Sequence, residues 1–435
     1  MANSVDHYEY ALNINVNKRP VSSQEIQPFV GTESDGQFHD LQLKRVLLFY
    51  NPSAAAGKST SLVTKVIIPI FHSSDISTIV YPTKCKGDLT QYLKNESQQI
   101  FSYGIDAFVV VGGDGTMHEF VNGYIAGNYK SAGIAVILVN GGTGNSLCLT
   151  MNGFNDDNQK LTQYLQHIIS NVKSKKHALI QWIDVVEFSA VENNQSNQSN
   201  ENDDSKRNII QYCASQSYFG IPSSVVHWAN WDTFKKIFGT SPLRYDIGAF
   251  FEMCKHREYR LKFTFYGLQK QRSSVSEDIK AEPEEQDEKH SDGGQEMQAM
   301  QLIKTVEMFV AMKGKYFGKG VCITPFAKLD NGYLDVLILE RIETRYKLIS
   351  MFLELQKIKE DLSVLNESGV YYYRCKEVVI EVLDEDNKIV TDAKKLQEMG
   401  LPDVGGDGEI GPPLPLRLRA AEKAIPALFP DPTLF

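Results

Sequence analysis

Between residues 45 and 172, short apolar runs alternate with stretches of helical period. RVLLFY (45–50), ISTIVY (76–81), AFVVV (107–111) and IAVILV (134–139) are continuous apolar segments of strand length, the pattern of parallel strands covered on both faces. Between and after them, Leu89, Tyr92, Leu93 and Ile100, then Leu161, Tyr164, Leu165, Ile168, Ile169 and Val172, recur at helical spacing. Such alternation predicts an α/β domain with an open, doubly wound and mostly parallel sheet. After about residue 180 the pattern changes to strands with few helices: WIDVVEF (182–188), IIQYCAS (209–215), LKFTFYG (261–267), TVEMFVAM (305–312), YLDVLIL (333–339) and EVVIEVL (377–383). A second, mostly antiparallel β-sandwich domain follows from that change.

Two polar tracts interrupt the pattern, at 191–208 and at about 270–300. Neither carries enough apolar surface to offset its ordering entropy, so both are expected to be disordered insertions. The predicted organisation is a loose extension over 1–44, an α/β domain over 45–178 and a β-rich domain over 179–430. At 435 residues, two domains are the natural division. Residues 277–292 carry six of the nine net negative charges, so the rest is nearly neutral and lacks the basic stripe that nucleic acid demands. Six widely spaced cysteines without a CxxC pair are those of a reduced, cytoplasmic protein. No run approaches the roughly 18 apolar residues of a membrane span, so any meeting with a membrane is peripheral.

NPSAAAGKST (51–60) ends in the Gly-Lys-Ser of a phosphate-binding loop, yet Pro52 stands where that motif needs its first glycine. Clearer chemistry lies in VVVGGDGTMHEFVNGY (109–124), where an apolar strand runs into Gly112, Gly113, Asp114, Gly115 and Thr116 and then into helical spacing. Strand, glycine turn and helix aim main-chain N–H groups and a positive helix end at an anion. Asp114 puts a carboxylate where it can meet a metal ion or a hydroxyl proton. A second glycine loop, NGGTGN (140–145), follows the next strand. In an open parallel sheet both fall on the same ligand-binding edge. His118 reads as a polar residue of the helix face, and Lys58 as either a phosphate contact or a solvated side chain.

GGDGTMHEFVNG resembles the signature of the diacylglycerol kinase catalytic-domain family of lipid kinases, and its HEFVNG continuation is most similar to the sphingosine kinase branch. The resemblance extends to Asn51, Pro52 and Gly57, with Ala55 where a first glycine is usual. It continues with Thr83, Gly87 and Asp88, with Gly142, Thr143, Gly144 and Asn145, with GKGVCITPFAKLDNGYLDV (318–336) and with Asp407, Gly408 and Glu409. It implies ATP and Mg²⁺ as cofactors. By this resemblance Asn51, Pro52, Gly57, Thr83, the two glycine loops and Asp407 bind ATP. Asp114 or Glu409 is the general base, both remaining open. Magnesium is implied at the turn where Asn331 replaces an aspartate before Gly332, with Asp330 as the substitute ligand. Ser224 takes the position that holds the polar head of the lipid.

The implied activity is phosphoryl transfer from ATP to the primary hydroxyl of a membrane lipid. A sphingoid base is the first expectation, and diacylglycerol or ceramide the alternative. The aromatic-rich stretch 217–253 offers material for an acyl slot or a bilayer contact. Two other classes remain open. One is a soluble-substrate kinase of the NAD-kinase type, which shares Gly-Gly-Asp-Gly; the other is a non-catalytic nucleotide-binding scaffold. Oligomeric state, a homodimer included, is left open.

Overall fold

The structure is a computed structural model, and it describes residues 41–142, 144–153, 157–174, 179–191, 208–238, 241, 243–255, 257–269, 289–292, 295–318, 321–359 and 361–429. Four parallel strands, β1 (Arg45–Tyr50), β2 (Ser77–Pro82), β3 (Ala107–Gly112) and β4 (Ala135–Asn140), lie in the spatial order β2-β1-β3-β4. Their apolar runs are continuous because helices cover both faces. Alternate residues Val46, Leu48, Val109, Ile137 and Val139 pack against Leu161, Tyr164, Leu165 and Ile168 of the helix Asn158–Lys173. The intervening Leu47, Phe49, Phe108, Val110 and Val136 pack against the helices Asp88–Asn95 and Asp114–Ala126.

The remaining strands are β5 (Leu179–Ala190), β6 (Ile209–Cys213), β7 (Gln216–Gly220), β8 (Tyr259–Tyr266), β9 (Lys289–Asp292), β10 (Gln295–Met312), β11 (Tyr316–Phe317), β12 (Val321–Cys322), β13 (Leu334–Glu340), β14 (Val370–Cys375), β15 (Glu377–Val382), β16 (Gly405–Gly406), β17 (Glu409–Ile410) and β18 (Leu416–Phe429). Their pairings are antiparallel throughout, except where β18 meets β4 in parallel at Ala427 and Val136. The C-terminal lobe is β-sandwich-like, with one core around Phe219, Phe263 and Phe309 and another around Met308, Val310, Leu337 and Leu339.

β18 joins the lobes into one sheet. Its first half pairs with β15, and its second half, with β5 alongside, brings Ile425, Ala427 and Leu428 into the N-terminal cores. A β-bulge between Ala421 and Ile425 turns the strand from one lobe to the other.

Two expectations change. The loop expected at about 270–300 includes a described hairpin: β9 pairs with the start of β10, which continues onto β8 from Ala299. The few helices expected after residue 180 include a cluster over Ile221–Asn230, Asp232–Phe238 and Leu243–Lys255. Its aromatics hid a helical period behind apparent density. The extension over 1–40, the tract 192–207 and the acidic residues 270–288 lie outside the described residues. All six cysteines are free thiols, four of them buried.

Candidate active site

Because β1 to β4 are parallel, the loops that follow them share the carboxyl edge of the sheet. Chain order reverses between β1 and β3, which makes that point the crevice of the fold. After β1, Asn51 organises its own turn. Its Oδ1 accepts the Ser53 N–H (2.9 Å) and its main-chain oxygen accepts the Ser59 hydroxyl (2.5 Å). Pro52 sits inside this turn, and Gly57 closes it at φ +86°. Thr83 follows β2 and donates its main-chain N–H to Tyr50 (2.9 Å), joining the second loop to the first. The Gly141 N–H donates to the Gly112 carbonyl (3.0 Å), so the two glycine loops also lie side by side.

Asp114 opens the helix Asp114–Ala126, directly after Gly112 and Gly113. Its half-buried carboxylate accepts the Ser146 N–H at Oδ1 (2.6 Å) and the Ser146 hydroxyl at Oδ2 (3.1 Å). Burial, with the Asp407 charge adding to it, pushes the Asp114 carboxyl up to about 7 against the lowering effect of the Ser146 bonds. Gly144 is required at its position, since a Cβ there would lie 2.2 Å from Asp114 Oδ2. Asn145 shapes that loop by exchanging bonds with Gly142, whose N–H donates to Oδ1 (2.9 Å) and whose carbonyl accepts Nδ2–H (2.8 Å). Thr143 lies outside the described residues, and Thr116 is buried against Gly112.

The C-terminal lobe contributes the turn Asp407-Gly408-Glu409. Asp407 is fully buried and accepts the main-chain N–H groups of Ala214, Ser215 and Gln216, so its carboxylate holds the β6–β7 turn. Glu409 instead reaches the start of the Asp114 helix. Its Oε1 is 2.9 Å from where a Cβ of Gly115 would stand, and its Oε2 pairs with Lys86. Two carboxylates from different lobes, Asp114 and Glu409, therefore flank the glycine turn.

The HEFVNG segment locks this arrangement. His118 Nδ1 lies 3.3 Å from Asp407 Oδ2. Glu119 accepts the N–H groups of Gly87 (2.7 Å) and Leu89 (3.2 Å). Asn122 exchanges bonds with the Tyr212 main chain, donating at 2.8 Å and accepting at 2.9 Å. Asp88 is held by Tyr81 and the Lys84 N–H. These residues clamp the loops and lobes to one another. Ser146, Glu119, Asn122 and Lys86 carry contacts that sequence reasoning missed, because each partner lies at least about thirty residues away.

Beside this turn, a cavity of about 460 Å³ lies among the helices Ile221–Asn230 and Leu243–Lys255, the segment 400–403 and Ile410. Ser224 lines it with His227, Trp228, Glu252 and Asp403. Glu252 is buried and accepts from Trp228 Nε1 and Lys255. Asp330 lies elsewhere: its exposed carboxylate accepts a long bond from Gln181 (3.4 Å). The oxygen atoms of its neighbours, Asn331 Oδ1 and the Tyr333 carbonyl, are taken by Lys313. That turn does not fit a magnesium ion.

Comparison with known proteins agrees with this architecture. The sequence profile of the diacylglycerol kinase catalytic domain matches residues 45–177, and that of the YegS C-terminal NAD kinase beta sandwich-like domain matches 216–429. Sphingoid long-chain bases kinase 1 of Arabidopsis thaliana is 23% identical over 258 residues, 59% of this chain and 30% of that protein. Sphingosine kinase 1 of Homo sapiens is 30% identical over 112 residues, 25% of this chain and 28% of that protein. Human mitochondrial acylglycerol kinase is 32% identical over 84 residues, 19% of this chain and 18% of that protein. The chain thus spans less than a third of the length of these curated relatives. A diacylglycerol kinase structure from Bacillus anthracis str. Sterne superposes with a TM-score of 0.54 at 18% identity, covering 90% of this chain and 99% of that one. The two matched domains in this order, on this fold, place the chain in the diacylglycerol kinase catalytic-domain family.

Proposed function

We propose that this protein is an ATP-dependent lipid kinase that transfers the γ-phosphate to the primary hydroxyl of a membrane lipid. The observation that carries the reading is the meeting of Asp114 and Glu409 at one glycine turn, next to the cavity that Ile410 lines. Family membership implies the use of ATP. The main-chain N–H groups of the loops after β1, β3 and β4, with the start of the 13-residue helix Asp114–Ala126, would hold the phosphates. As the acceptor oxygen bonds to phosphorus and ADP leaves, the Asp114 carboxylate takes the hydroxyl proton. A carboxyl with a pKa of about 7 suits that work near neutral pH.

Glu409 serves to orient, and its carboxylate is the hard oxygen donor that would hold magnesium with the ATP phosphates. Bound there, the ion would neutralise charge that builds up on the transferring group. Strand alternation sends Glu409 toward the glycine turn and its neighbour Ile410 toward the cavity. An acceptor seated in the cavity is therefore one residue from the reacting edge.

Two features support a lipid acceptor over a soluble one. The cavity is walled by Trp228 and Trp231, and the helices around it expose Trp231, Ile237, Leu243, Phe250 and Phe251. Contiguous exposed apolar side chains of this kind suit a lipid surface. Among the described residues no helix is long and apolar enough to cross a membrane, so contact would be peripheral. A sphingoid base is the preferred acceptor, because the cavity that Ser224 lines is also lined by Asp403, where an amine would find a carboxylate. Diacylglycerol and ceramide are the alternatives.

The test is incubation of purified protein with labelled ATP and micelles of sphingosine, ceramide or diacylglycerol. Labelled lipid phosphate from the wild type, absent with Asp114→Asn, is the expected result. Label entering NAD and no lipid, or ATP binding without turnover, would overturn the reading.

A further inference from the structure

Lys313 directly follows β10, and its side chain is fully buried. Its ammonium reaches Asp184 Oδ2 at 2.9 Å, Asn331 Oδ1 at 2.8 Å and the Tyr333 carbonyl at 2.7 Å. Three N–H donors thus meet three oxygen acceptors, which is the full donor capacity of an ammonium and one more than a neutral amine offers. One carboxylate, one amide oxygen and one main-chain carbonyl are also the ligand types that hard cations take.

We propose that Lys313 is a built-in cation, whose ammonium fills the place at the Asp330-Asn331-Gly332 turn where the sequence leads one to expect magnesium. The turn then holds its shape without a metal. The surrounding bonds bear this out. Asp184 spends its other capacity on main-chain donors, Gly332 N–H at Oδ2 (2.8 Å) and Lys423 N–H at Oδ1 (2.9 Å). Asn331 Oδ1 also accepts the Tyr333 N–H (3.1 Å). Asp335, the other buried carboxylate whose charge acts on Lys313, is engaged by Arg374 and Tyr372. A divalent ion entering here would face a positive charge about 3 Å away, a repulsion that a buried setting screens poorly.

The place of this ammonium gives it reach. It ties β5 to the end of β10, to the turn 329–333 and, through Asp184, to the bulge of β18. Just beyond it, the Lys315 N–H donates to Thr150 Oγ1 (3.1 Å) and the Gly318 N–H to Ser146 Oγ (3.0 Å). The Lys313 cluster therefore anchors the segment that docks on the helix Ser146–Asn152, whose Ser146 bonds to Asp114.

Wild-type protein, purified without nucleotide, is expected to contain no tightly bound divalent metal by elemental analysis and to keep its Tm in EDTA. Lys313→Met keeps the stem but removes the charge, stranding Asp184. Its Tm should fall by roughly 5–15 °C. Lys313→Ala, which leaves space as well as oxygens, should gain a Tm rise in millimolar calcium or magnesium larger than any the wild type shows. One metal per wild-type chain whose removal lowers Tm would overturn the proposal. So would a Lys313→Met protein as stable as wild type, or a folded Lys313→Ala protein with no added cation response. The wild-type arm is decisive even if neither variant folds.

Discussion

Asp114 accepts both the main-chain N–H and the hydroxyl of Ser146, at 2.6 and 3.1 Å. The pair spans two glycine loops on neighbouring strands. Ser146 also accepts the Gly318 N–H from the other lobe, so the orientation of the proposed base depends on how the lobes sit together. The Ser146 bonds favour the ionised carboxylate, whereas burial and Asp407 disfavour it.

A base must be ionised to take a proton. With its pKa raised to about 7, kcat/KM should be level above that pH and fall about tenfold per unit below it. Ser146→Ala removes the hydroxyl bond to the charged form and keeps the main-chain one, so the inflection should move to higher pH. A pH series on both proteins checks this; coincident profiles would refute it.

Gly144→Ala would put a Cβ 2.2 Å from Asp114 Oδ2. The carboxylate must swing away, and kcat should drop about 100-fold or more, since displacements near 1 Å carry that penalty. Turnover assays paired with circular dichroism separate this from misfolding.

Asn122→Ala would remove the three bonds that join the Asp114 helix to Tyr212 and to its own turn. A loss of about 1–3 kcal/mol in unfolding free energy is expected, read by urea denaturation.

Ala55 lies at φ +48°, in the left-handed region that disfavours a Cβ. Ala55→Gly should therefore stabilise the protein by up to about 1 kcal/mol, the relief of strain partly offset by the freer unfolded chain. Thermal melts check the sign.

Phe250 and Phe251 are 53% and 46% exposed on the helix beside the cavity. Replacing both with Asp should weaken sedimentation with lipid vesicles about tenfold or more, while a short-chain substrate in solution is still phosphorylated. Unchanged vesicle binding would move the membrane contact elsewhere.

Periodicity read the N-terminal lobe closely. RVLLFY coincides with β1, and the other three parallel strands lie within one residue of their apolar runs. Strands buried on both faces leave little ambiguity. β18 went unread because AEK and Pro426 interrupt its apolar pattern, and a proline normally marks an edge. Its pairing with β5 on one side and β15, then β4, on the other is a tertiary fact without a local signal. The same division holds for the site. Asp114 stood out because glycines adjoin it in sequence. The bonds of Asp407 to Ala214 and of Lys313 to Asp184 join residues far apart in the chain. A motif places Asp407 near the phosphates, whereas its contacts show a carboxylate committed to three amides of the β6–β7 turn.

The path of β18 also bears on how the protein comes into being. During synthesis β4 emerges early, yet its open edge is covered only when Ala427 leaves the ribosome. Until then the half-built sheet offers an unpaired flank to any passing strand, a hazard that chaperones exist to manage. The proposed nucleotide site is therefore expected to mature only with the last strand in place, and cleavage near Leu416 should cripple it although the site described above takes no side chain from that segment.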